Sequence, residues 1–162
     1  MTFHGDLVTQ ARRLATLDPR RPKQANLRRA VSSAYYALFH CLVADGAKRA
    51  TTAGSPVQYL VQRRYDHRTM KEVSQAFAEP RGWVTRQGVP VPLELRNVAA
   101  TFAYLQDERH EADYNLQTRF TKPRALEAIE RTEVAMARWS QVRLTDAARL
   151  YLLTMLLGGP RK

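Results

Sequence analysis

The run Glu108-Arg109-His110-Glu111-Ala112-Asp113-Tyr114 gathers a guanidinium, an imidazole, three carboxylates and a phenol within two helical turns. The apolar residues ahead of it, Leu95, Val98, Phe102 and Leu105, recur every three or four positions, and the same stepping lands next on Arg109 and Ala112. An arginine therefore lies on the core-facing stripe of a helix, where burial is costly unless the charge is paired. Asp113, one turn on, is the nearest candidate for an intrahelical pair. The alternative is that Arg109 points into a groove and holds a phosphate, its planar fork matched to two oxygens. His110 lies about 100° round the helix from Arg109. Tyr114 is also turned away, and can meet Arg109 only if the helix ends there or a second subunit contributes, an arrangement that favours a homodimer.

Other chemistries lack their parts. The sequence holds no GxxxxGK[ST] phosphate loop, no GxGxxG after a strand and no HExxH. One cysteine and four scattered histidines, His4, His40, His67 and His110, give no metal-ligand spacing, so neither a metal nor a cofactor is expected. No nucleophilic triad can be assembled from spacing.

The elements that must position the cluster read as helices. Leu7, Ala11, Leu14 and Leu17 predict a short first helix over Asp6 to Leu17, ended by Asp18-Pro19. Leu27, Val31, Ala34, Leu38 and Leu42 form the seam of a second, from Gln24 to Ala44, flanked by the aromatic run Tyr35-Tyr36-Ala37-Leu38-Phe39-His40. Residues 45–58 read as an exposed loop carrying Lys48 and Arg49. A third helix runs from Asp66 to Phe77, and a Pro- and Gly-rich loop over 79–92 leads to the fourth, Pro92 to Tyr114. Pro123 suits the first turn of a fifth helix with Leu126, Ile129, Met136 and Trp139 on its face. Thr145 caps a last helix, Asp146 to Leu157, closed by Gly158-Gly159-Pro160. With no strand-like alternation and no repeat, the expectation is one all-α domain spanning 1–162, an up-and-down bundle of five to six helices. The last helix is apolar nearly all round, which suits either the core or a subunit interface.

A net charge of +11 and a pI near 10.4 attract polyanions, RNA or DNA first among them. Arg28, Arg29, Lys48, Arg49, Arg63, Arg64 and Arg68 flank or follow the second helix and are candidates for a nucleic-acid-binding rim; a solvated face is the other reading. Cys41, inside the apolar run Phe39 to Val43, reads as buried filler, and a lone cysteine suits a reducing compartment. The longest apolar run, Leu150 to Leu157, is far short of the ~20 residues that span a bilayer. A cytoplasmic protein with no membrane partner is expected.

Two stretches, Arg29-Ala30-Val31-Ser32-Ser33-Ala34-Tyr35-Tyr36-Ala37-Leu38-Phe39-His40 and Arg109-His110-Glu111-Ala112-Asp113-Tyr114, resemble the RAxSxAYYAxFH and RxxADY patterns of the HEPN family of helical nucleotide- and RNA-binding domains. The similarity covers about Asp6 to Arg138. It implies a role in a bacterial toxin-antitoxin or anti-phage conflict system, with RNA or a nucleotide as ligand. Many members are dimeric ribonucleases using Arg-x4-6-His: the arginine stabilises phosphate charge, the histidine assists attack by the 2′-hydroxyl, and no metal takes part. Here Arg109 is followed at that spacing by Tyr114, and His110 is adjacent to the arginine. A phenol with an ordinary pKa of about 10 is a poor general base at neutral pH. Relatives of this kind pair with a nucleotidyltransferase-type antitoxin or act as accessory subunits. The resemblance leaves three expectations open: an RNA- or nucleotide-binding protein with a degenerate Arg-x4-Tyr motif, a metal-independent endoribonuclease using Arg109, and a non-catalytic subunit that binds a protein partner. In the first two, Arg109, Tyr114, Asp113 and His110 form the site.

Overall fold

A computed structural model describes residues 2–52 and 54–158. Among them the chain is all helix, without a strand: α1 (Phe3–Thr16), α2 (Gln24–Ala50), α3 (Pro56–Gln62), α4 (His67–Ala78), α5 (Trp83–Arg86), α6 (Leu93–Tyr114), α7 (Lys122–Val142) and α8 (Asp146–Leu157). The six longer helices are the six that the periodicity predicts. Of the additional two, α3 starts at the end of the stretch 45–58 that reads as a loop and runs past it to Gln62, and α5 falls within the predicted loop 79–92.

Local chemistry starts most of these helices. The side chains of Thr2, Ser55, Asp66, Thr121 and Thr145 each accept a hydrogen bond from a backbone N–H of the following turn. Pro56 and Pro123 occupy first-turn positions, where a missing N–H costs nothing. α2 and α6 begin without a side-chain cap, after Lys23 and Pro92, and rely on what they bury. Of the predicted stop for the last helix, Gly158 caps α8 with φ near 95°, while Gly159 and Pro160 lie outside the described residues.

The predicted loop over 45–58 requires correction, since α2 continues through it to Ala50. Gly46 and Ala47 are small because the helix is crowded there, not because it ends. A methyl group on Gly46 would overlap the hydroxyl of Tyr65, which is buried and donates to Leu152 O at 3.3 Å. Asp45 accepts from Trp139 Nε1 at 2.8 Å, tying this turn to α7. α5 likewise interrupts the loop predicted over 79–92.

α2 is the central helix. It runs antiparallel to α1, with Phe3 beside His40 and Gln10 beside Ser33, and antiparallel to α6, with Ser32 beside Asp113 and Tyr35 beside Phe102. It runs parallel to α7, from Gln24 at Phe120 through Ala34 at Thr132 to Asp45 at Trp139. α6 and α7 form a hairpin clamped by Arg124, whose Nε and Nη2 each donate at 2.7 Å to the buried carboxylate of Glu108. These four helices make the expected up-and-down bundle, and α4 covers α6.

α8 completes the core from below α4 and α2, burying Ala148, Tyr151, Leu152 and Met155. The Tyr151 hydroxyl shares a hydrogen bond of 2.7 Å with Ser74, so the deepest polar group of this layer is satisfied. Leu153 and Leu157 remain outward. No helix among the described residues is long and apolar enough to cross a membrane.

Candidate functional site

Arg109 sits in the penultimate turn of α6 with its side chain 15% exposed. Its Nη2 donates to the Tyr36 hydroxyl at 2.9 Å, and its Nε lies 2.7 Å from Asp113 Oδ2. The N–H at Nε is not aimed along that short line, so this buried donor pairs by charge without making a hydrogen bond. Asp113 Oδ1 in turn accepts from Ser32 Oγ at 2.5 Å. Ser32 and Tyr36 are one turn apart on α2, as Arg109 and Asp113 are on α6, so the two helices meet through a four-residue brace.

The guanidinium is not fully consumed by this brace. It carries five N–H donors; Tyr36 takes one, Asp113 faces another, and no acceptor among the described residues meets the rest. Burial opposes its charge, but Tyr36, Asp113 and Tyr114 outweigh that and raise its pKa above the ordinary arginine value. The rings of Tyr36 and Tyr114 each lie 5.5 Å from Cζ, on which the cation is centred.

The intrahelical pair with Asp113 read from the spacing is present, and Arg109 keeps donors that no acceptor among the described residues meets. Of the two conditions set for Tyr114 to approach Arg109, the first is met. α6 ends at Tyr114, whose ring is 63% exposed and free to fold back towards Arg109, so the approach needs no second subunit. His110 is exposed on another face and reaches the group only through the Tyr114 ring, 5.0 Å away.

One histidine escaped the sequence reading of the site. His67, the first residue of α4 behind the Asp66 cap, shares a hydrogen bond of 2.6 Å through Nδ1 with the Tyr35 hydroxyl. Its ring meets the Tyr36 ring edge-on at 5.8 Å and the Phe39 ring at 4.6 Å. Burial, then the nearby Arg109, hold its pKa below the usual histidine value, so it is neutral at physiological pH. Nothing in the spacing along the chain links position 67 to position 109. Only the crossing of α4 over α2 and α6 does.

The seven basic candidates do not form one rim. Arg28 points inward and is spent on the end of α6, donating to Ala112 O at 2.8 Å, Asn115 O at 3.0 Å, Thr118 O and, at 3.4 Å, Glu111 O. Arg29 is exposed and lines a surface groove with Ser32 and Tyr36, beside the Arg109 brace. Lys48 and Arg49 stand at the far end of α2, roughly 28 Å along its axis from Arg29, and Arg49 is bonded to Arg143 O. Arg63 stacks on Tyr59, Arg64 is exposed, and Arg68 pairs with Glu72 at 3.0 Å.

Among the described residues no group of three His, Cys, Asp or Glu side chains could hold a metal ion. Cys41 is half-buried, and burial pushes its thiol up to about 11, which suits the packing role read from its neighbours. No family model, no curated protein and no solved structure matches this chain. The reading of function rests on the side chains themselves.

Proposed function

We propose that this chain is a HEPN-like RNA- or nucleotide-binding protein of a bacterial toxin-antitoxin or anti-phage system, working in the cytoplasm as a homodimer and holding a phosphate at Arg109. The observation that carries the binding reading is the state of that guanidinium. It is charged, largely buried, fixed in direction by Tyr36 and Asp113, and still has donors without acceptors. Its buried donor without a hydrogen bond, at Nε, is compensated by the Asp113 charge, whereas the unmet Nη1 donors reach solvent and stay open to an incoming acceptor. A phosphate supplies several acceptor oxygens at once and suits the planar fork. The net charge of +11 draws such a ligand in.

Filter binding of single-stranded RNA over a salt series tests this. Binding at low salt should weaken with log[salt] at a slope of about −0.7 per phosphate neutralised, and Arg109→Ala should flatten that slope by about one such contact. Undetectable binding by the wild type, or an Arg109→Ala variant that binds as the wild type does, would contradict it.

His67 favours a second reading, metal-independent cleavage of RNA. A neutral imidazole against the same Tyr36 ring that Arg109 engages can take a proton from a 2′-hydroxyl where Tyr114 cannot. Incubation with RNA in EDTA discriminates the two: cyclic-phosphate ends that vanish in both Arg109→Ala and His67→Ala support cleavage, and equal cleavage by all three proteins removes both residues from the mechanism.

A further inference from the structure

Two grooves lie side by side where the start of α1 crosses α2. The first, about 370 Å³, has Phe39 and Val43 for its floor, with Phe3, His40, Tyr59 and Arg63 around it. The second, about 290 Å³, is more polar and is walled by Gln10, Arg29, Ser32 and Tyr36. Phe3 and His40 line both, so the Phe3 ring is the ridge between them. No acidic side chain lines either groove among the described residues.

Two facts single this surface out. Phe3 and Tyr59 are 62% and 61% exposed, and they stand on opposite helices, α1 and α3, across one apolar floor. Arg63 lies over the Tyr59 ring, its Cζ 5.8 Å from the centroid. The aromatic line is also continuous with Arg109. The Phe3 ring meets His40 edge-on at 4.9 Å, His40 stacks on Tyr36 at 6.2 Å and 29°, and Tyr36 holds Arg109.

Aromatic rings and cations along two grooves without acidic lining are what an unpaired nucleic-acid strand needs, since each base offers a π-face and each linkage a negative charge. We infer that the two grooves are base subsites for single-stranded RNA, one base on each side of the Phe3 ridge, with Arg63 and Arg29 facing the backbone and the strand leading to the Arg109 brace. The inference rests on the proposal that the chain binds RNA and adds where the bases lie. The Tyr59 end of the first groove would hold one base, and the Ser32 and Gln10 side of the second would offer hydroxyl and amide partners to the next. Burial holds His40 and His4 below the usual histidine pKa, so the first groove keeps its apolar character at neutral pH.

The test is fluorescence anisotropy with a 5′-labelled, mixed-sequence, ten-nucleotide single-stranded RNA, on wild type, Phe3→Ala, Tyr59→Ala and Arg109→Ala, between 50 and 200 mM salt. Both aromatic residues are exposed, so their removal leaves the fold intact. Phe3→Ala and Tyr59→Ala should each weaken binding by about 5- to 150-fold, the usual loss for one stacking platform, with the salt slope unchanged. Arg109→Ala should change the slope instead. If wild type and Arg109→Ala behave as proposed but both aromatic variants bind within about twofold of wild type, the base subsites are refuted and the phosphate site stands. If wild type does not bind at low salt, both readings fall. Mass in solution is measured in parallel: a mass that drops in Phe3→Ala or Tyr59→Ala while RNA affinity holds would assign the grooves to a second copy of the chain and overturn the inference.

Discussion

Replacing Arg28 by methionine removes the guanidinium that fastens the start of α2 to the end of α6 and keeps most of the apolar stem. Of its four hydrogen bonds, those to the carbonyls of Ala112 and Asn115 are of ordinary length, a third goes to Thr118 O, and the fourth, to Glu111 O, is long. Hydrogen bonds to a charged donor contribute about 1.5–3 kcal/mol each, but Arg28 is half-buried and water can reach part of what it leaves, so the net loss should be about 2–4 kcal/mol rather than the sum. For a chain of this size each kcal/mol moves Tm by about 2–4 °C, giving a drop of roughly 5–15 °C. Thermal unfolding followed by circular dichroism measures it, with Arg29→Met as the control. Arg29 is exposed and should stay within about 0.5 kcal/mol of the parent. The RNA-binding salt slope of Arg28→Met, taken well below its Tm, should match the parent, because both Nη groups of Arg28 are committed to the end of α6. An Arg28→Met variant as stable as Arg29→Met, or one that loses salt dependence without losing stability, would refute the assignment of Arg28 to the helix end.

Acidification should destabilise the protein before its carboxylates titrate. Burial, the largest cause at each, lowers the pKa of His4, His40 and His67 in the folded chain, so between the unfolded value near 6.5 and those lower values the unfolded chain binds more protons. Stability is therefore full above pH 6.5 and falls as pH drops; the urea midpoint should be lower at pH 5 than at pH 7.5, and His40→Gln should shrink the difference. An unchanged midpoint would contradict the burial of these rings. Gly46→Ala should leave the urea midpoint no higher than the parent's, since overpacking against the pinned Tyr65 costs about 1–3 kcal/mol and exceeds or cancels the gain of about 1 kcal/mol in helix propensity; a variant clearly more stable than the parent would mean that Tyr65 yields freely. Cys41 should react slowly with a thiol reagent in the native state and quickly in urea, and equal rates would argue against its burial.

The helices that carry the site were legible because their signals agree. α4 and α8 open on capping side chains, Asp66 and Thr145, and α6 repeats its apolar residues in phase for about three turns. The last six residues of α2, Asp45 to Ala50, were not, because Gly46 and Ala47 look like a break in sequence and act as a close contact in space. α3 buries no residue at all, so it left no periodic trace. Arg109 betrayed itself by standing on an apolar stripe. Its partner Tyr36, the Ser32 that holds Asp113, and its neighbour His67 did not, since spacing along one helix reports nothing about what a second helix brings against it. Arg28 shows the converse: in sequence it is one more surface charge beside Arg29, and only the open carbonyls at the end of α6 distinguish the two.

α1 begins at Phe3, with Thr2 as its cap, and the same ring divides the two grooves. Any polypeptide fused directly ahead of Thr2 emerges at that ridge and can drape across the track on either side. A purification tag placed there would compete with nucleic acid for the surface, and a poorly binding preparation would report on its cloning vector. Tag-free protein is the material on which affinities should be compared.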